Sequence, residues 1–217
     1  MRQIQLFIFD FDGVIGDTAP DIAGAVQAAQ AHYGLPVMTQ EKILSYVGFG
    51  AKYLIDCTLP LPDETEKSQA LAWYKAYYHA HAVDRTVLYP GMDAVLRTLH
   101  RAGRKICVVS NKPEALTKEI VKQLGIADLL TLVLGPESVV RMKPDPEGLL
   151  QCVAATGILP EQALMTGDSY TDIIAGRAAG MYTCGAFYGY GDPDKLRAET
   201  PDFSISAPLE LLQNINL

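Results

Sequence analysis

Residues 4–14 read Ile-Gln-Leu-Phe-Ile-Phe-Asp-Phe-Asp-Gly-Val. The near-continuous apolar run over 4–9 is what a strand covered on both faces requires, and it ends at two carboxylates, Asp10 and Asp12. Acids that follow a fully buried strand emerge together at its C-terminal edge. In an open parallel α/β sheet that edge is where sites assemble, because groups from several strand ends meet there. The rest of the chain can therefore be searched for their companions.

From about residue 103 onward, short β-rich apolar runs alternate with helical segments, the pattern of repeated βα units on a parallel sheet. Residues 105–109, 130–134, 163–166 and 181–184 read as further strands, with a short one at 203–205. Between them, Pro113 opens a helix that ends near Gly125, Pro146 opens one that ends near Gly157, and a third runs from about Thr171 to Gly180. Residues 16–85 break this rhythm. They carry helical patterns over 22–33 and 64–82 and no convincing strand, so they read as a helical insertion, with loops at Gly48-Phe49-Gly50 and Leu59-Pro60-Leu61-Pro62.

Each strand end carries chemistry-bearing residues. After 105–109 comes Ser110-Asn111-Lys112, a hydroxyl and an amide ahead of a helix start that favours an anion. After the third strand, Lys143 precedes a Pro-bounded helix start, where an ammonium can neutralise a phosphate and a strand-one carboxylate. After 163–166 comes Gly167-Asp168-Ser169-Tyr170-Thr171-Asp172, whose two acids would complete an oxygen-rich magnesium site with Asp10. Taken singly, these are ordinary turns and helix caps. Their order along the chain is what gives them weight.

D-x-D-G, S-N-K, K-P and G-D-x-x-x-D, each after an apolar strand, resemble the haloacid dehalogenase-like phosphohydrolase superfamily from end to end. The resemblance implies a Rossmann-like α/β core over residues 1–15 and 86–217, with an all-helical cap over 16–85. It implies that Asp10 attacks phosphorus, Asp12 protonates the leaving oxygen, and Ser110 and Lys143 hold the phosphoryl group, with Asn111 and Lys112 as further donors. Mg2+ would sit among Asp10, Asp12, Asp168 and Asp172. The loop Val47-Gly48-Phe49-Gly50, the return Tyr89-Pro90-Gly91 and Tyr188-Gly189-Tyr190-Gly191 look like phosphoglycolate phosphatases. On that reading Gly48 and Lys52 face the substrate carboxylate, although no arginine stands between Arg2 and Arg85. A pyrophosphatase, a sugar-phosphate phosphatase, a phosphoglucomutase-like phosphotransferase and a phosphate-binding protein share the same motifs.

Composition narrows the partners. A formal charge of −7 without a basic cluster argues against nucleic acid. The N-terminal apolar run meets Asp10 too soon for a membrane span or a signal peptide, so a cytoplasmic protein acting on a small phosphorylated metabolite is expected, as monomer or homodimer. Cys57, Cys107, Cys152 and Cys184 form no C-x-x-C pair and read as free thiols.

Overall fold

A computed structural model of the chain describes residues 4–214; the extremities of the expected core, 1–3 and 215–217, lie outside the described residues. In chain order the strands are β1 (Leu6–Phe9), β2 (Gly16–Asp17), β3 (Val87–Leu88), β4 (Lys105–Val109), β5 (Leu132–Leu134), β6 (Ala163–Gly167), β7 (Tyr182–Ala186) and β8 (Phe203–Ile205). The helices are α1 (Ala19–His32), α2 (Gln40–Leu44), α3 (Ala51–Thr58), α4 (Glu64–His81), α5 (Met92–Arg101), α6 (Glu114–Gln123), α7 (Glu147–Thr156), α8 (Tyr170–Ala178), α9 (Pro193–Ala198) and α10 (Leu211–Asn214). The chain divides into two compact units, residues 1–17 with 88–217, and residues 18–87.

The first unit holds a six-stranded sheet in the order β5-β4-β1-β6-β7-β8, parallel at every pairing. The fold is α/β and Rossmann-like. From β1 the chain builds outward through β4 and β5, then returns to lay β6 on the other side of β1, so β1 borders the point where the winding reverses. Leu6 and Ile8 pack with Leu149 and Cys152 of α7 and Ala175 of α8, while Phe7 and Phe9, which point to the opposite face, are equally buried. Both faces are covered, which is why β1 carries no polar alternation.

The second unit is helical, built from α1 to α4. Its interior takes Val26 and Ala29 of α1, Leu54 and Ile55 of α3, and Ala70, Tyr74 and Tyr78 of α4. Gln30 is fully buried there and satisfied: its amide donates to Thr58 O at 2.9 Å and its carbonyl accepts from Met38 N at 2.9 Å. Trp73 and Tyr77 lie on the flank of α4, stacked on each other at 5.0 Å between ring centroids, with Trp73 also stacked on His32 at 4.7 Å. Thr18 occupies the N-cap of α1 without making a side-chain capping bond. All four cysteines are free, three of them buried.

Candidate active site

Register decides what meets what. Phe9 pairs with Val108 on one side and Thr166 on the other, so the exits of β1, β4 and β6 are level. Asp10 continues the ladder by donating its N–H to Thr166 O at 3.0 Å. Its Oδ1 accepts from Phe11 N at 2.7 Å and lies 3.2 Å from Lys143 Nζ, which fixes the orientation of the carboxylate. Lys143 also reaches Asp172 Oδ1 at 2.6 Å. Burial opposes the charge on this lysine, but Asp10 and Asp172 outweigh it and hold Lys143 above the usual lysine value.

The loop after β6 brings in the other acids. Asp168 Oδ2 accepts from the N–H groups of Tyr190 and Gly191 at 2.9 and 3.0 Å. Asp172 Oδ2 accepts from Ser169 N at 3.1 Å, and Ser169 Oγ accepts from Thr171 N at 3.3 Å, so Asp172 is locked into the first turn of α8. Asp10, Asp168 and Asp172 each offer an oxygen within 4.8 Å of the others, and all three are buried. Burial pushes the Asp168 carboxyl well above its ordinary 3.8, and the neighbouring Asp10 and Asp172 push it the same way, against its two N–H donors. Three buried carboxylates beside one ammonium form a deficit of positive charge. An all-oxygen donor set with that deficit fits a hard divalent cation.

The remaining expected residues fall into two groups. Ser110 is buried at the exit of β4, its N–H bonded to Leu134 O at 3.1 Å. Asn111 spends its amide on Lys143 O at 3.2 Å, tying two site loops together across 32 positions of sequence. Lys112 Nζ lies 3.0 and 3.2 Å from the two oxygens of Asp12. The group of three carboxylates does not include Asp12. Gly48 and Lys52 lie in the helical unit: Gly48 sits at φ +104° ahead of α3, and Lys52, in the first turn of α3, is ion-paired with Asp56 at 2.6 Å.

The sequence pattern of the haloacid dehalogenase-like hydrolases matches residues 7–186, from β1 through the end of β7. The chain belongs to this family. Among curated relatives, the phosphoglycolate phosphatase of Chromobacterium violaceum is 33% identical over 220 residues, covering 99% of each chain. That of Neisseria meningitidis is 35% identical over 224 residues, covering 99% of this chain and 95% of the relative. A crystal structure from Haemophilus somnus, described as a predicted phosphoglycolate phosphatase, superposes with a TM-score of 0.94 at 27% identity over 99% of both chains.

For this haloacid dehalogenase-like hydrolase, motif reading missed the residues that support Asp168. A Cβ on Gly13, Gly189 or Gly191 would run into Asp168, and Gly13 also needs its φ of +80°. Tyr188 anchors the same loop by donating to Val14 O at 3.0 Å, with its ring edge-on to Tyr89. The signal was present in the alternating Tyr-Gly-Tyr-Gly of residues 188–191, where glycine marks close approach of backbone to another group.

Proposed function

We propose that the protein is a magnesium-dependent phosphomonoesterase of the cytoplasm, acting on phosphoglycolate through an aspartyl-phosphate on Asp10. The observation that carries this reading is the convergence of Asp10, Asp168, Asp172 and Lys143 at the level exits of β1 and β6. Asp10, Asp168 and Asp172 would hold the metal, which when bound supplies positive charge to offset repulsion between nucleophile and phosphate. Lys143 adds a fixed cation from the protein.

Asp10 forms a bond from Oδ to phosphorus as the ester P–O bond breaks, and Asp12 gives a proton to the departing oxygen. Water then attacks phosphorus, passes a proton to Asp12 and breaks the Oδ–P bond, releasing phosphate and restoring Asp10. Splitting hydrolysis this way lets one neighbouring acid serve both displacements. On this reading Ser110, buried at the exit of β4, gives its hydroxyl to a phosphoryl oxygen. Residues 1–15 and 86–217 form the catalytic core on this reading, and the helical insertion over 16–85, with Gly48 and Lys52, acts as a cap that excludes water.

Substrate identity rests on relatives that carry the phosphoglycolate phosphatase name. The test is phosphate release with Mg2+ from phosphoglycolate, pyrophosphate, several sugar phosphates and p-nitrophenyl phosphate. A dominant rate on phosphoglycolate supports the assignment. Preference for another compound, or reaction with the activated aryl ester alone, rejects it.

A further inference from the structure

In the sheet, β6 stands between β1 and β7, so a loop from β7 that reaches the turn after β1 passes Asp168 on the way. Residues 188–191 touch both. The N–H groups of Tyr190 and Gly191 hold Asp168 Oδ2 at 2.9 and 3.0 Å, and the Tyr188 hydroxyl donates to Val14 O at 3.0 Å. A Cβ on Gly189 would run into both the Asp168 side chain and Gly13 O, which puts this residue between the acid and the turn. The turn is a firm anchor, since Phe11 O accepts the N–H groups of Val14, Ile15 and Gly16 at 3.0–3.3 Å.

We infer that Tyr188 is a positioning residue for the metal site: its hydroxyl fastens this loop to the turn after β1, so that two N–H groups stay aimed at Asp168 and the carboxylate meets the cation already oriented. The inference rests on the proposed reading of Asp10, Asp168 and Asp172 as the residues that hold magnesium. Asp168 stands beside two other buried carboxylates, whose repulsion turns it away, and the N–H donors on Oδ2 oppose that. They can do so only while their loop stays in place. A Tyr-Gly-Tyr-Gly run has little stiffness of its own, because each glycine leaves the backbone free to take other conformations. The bond from Tyr188 to Val14 supplies the missing constraint.

Ring and hydroxyl of Tyr188 reach the same segment by separate contacts. The ring packs edge-on against Tyr89 at 4.9 Å between centroids, and Tyr89 N donates to Ile15 O at 3.1 Å, whereas the hydroxyl bonds Val14 O directly. Tyr188→Phe keeps the first contact and removes the second.

Isothermal titration calorimetry with Mg2+ alone, in the absence of substrate, measures Kd for wild type and Tyr188→Phe well below their melting temperatures, and melting curves in EDTA measure the stability of each. Tyr188→Phe should raise the Mg2+ Kd about tenfold, as loss of a group that orients a metal ligand does, and the rate lost at limiting Mg2+ should be recovered as Mg2+ saturates. A Kd within about twofold of wild type would overturn the inference, and a lower melting temperature in EDTA beside that unchanged Kd would leave the hydroxyl as a structural bond alone. A wild-type protein that binds no Mg2+ would instead remove the metal reading, and this inference with it.

Discussion

Asp10 and Asp12 leave the same strand two residues apart and enter different surroundings. Asp10 lies against Lys143 and the Phe11 N–H, whereas Asp12 is drawn to Lys112. If Asp12 protonates the leaving oxygen, Asp12→Ala should lose about 10²–10⁴-fold in turnover of alkyl phosphates and much less with p-nitrophenyl phosphate, whose leaving group needs little proton help. Equal losses on both would contradict the acid role. The glycines around Asp168 give a second prediction. Gly189→Ala places a methyl against the Asp168 side chain and Gly13 O, so it should lower kcat/KM about tenfold or more while raising the magnesium concentration needed for half-maximal rate. Titrating the metal against activity in both proteins checks this.

At the scale of elements, the core was readable wherever burial on both faces removes polar residues. β4 and β8 were expected at their observed bounds, and β1 and β6 within two residues. β7 runs on to Ala186, past the expected end at 184, and Gly185 within it packs tightly against Pro201, Phe187 and Leu196. The short α2 and α3 carry too few buried positions to announce themselves. The acids at strand ends were legible for the same reason as the strands. The bonds Asn111–Lys143 and Lys112–Asp12 were not, since they join loops 32 and 100 residues apart and depend on sheet order. The same holds for Asp21, in the first turn of α1. Its buried carboxylate accepts from Arg85 N, Thr86 N and Thr86 Oγ1 at 2.8–2.9 Å, tying the start of α1 to the end of the helical unit. Asp21→Ala strands those donors and should destabilise the protein by about 2–4 kcal/mol in urea unfolding. A change below about 0.5 kcal/mol, the range of an ordinary surface substitution, would contradict this account.

For the whole molecule, the buried acids make stability depend on metal and pH together. Asp168 has a folded pKa above its unfolded value, so its contribution is fully present below about 3.8 and is lost as pH rises through the raised value. With chelator present, the Asp168 contribution should therefore weaken as pH rises through that raised value. Mg2+ binds the ionised form and should add about 2.7 kcal/mol at a hundred times its Kd, or about 5–10 °C in Tm, with a larger gain at pH 8 than at pH 5.5. Melting curves at the two pH values, with Mg2+ or EDTA, measure this, and a gain that shrinks with pH would contradict it. Among the described residues no helix is long and apolar enough to cross a membrane. The central claim is that Asp10 becomes phosphorylated, and the most direct measurement is acid quenching of the enzyme during turnover of radiolabelled phosphoglycolate, followed by peptide mapping. The account predicts label on the peptide containing Asp10, released by hydroxylamine as an acyl phosphate is, and neither label nor turnover in Asp10→Asn. Label on another residue, or normal turnover by Asp10→Asn, would contradict it.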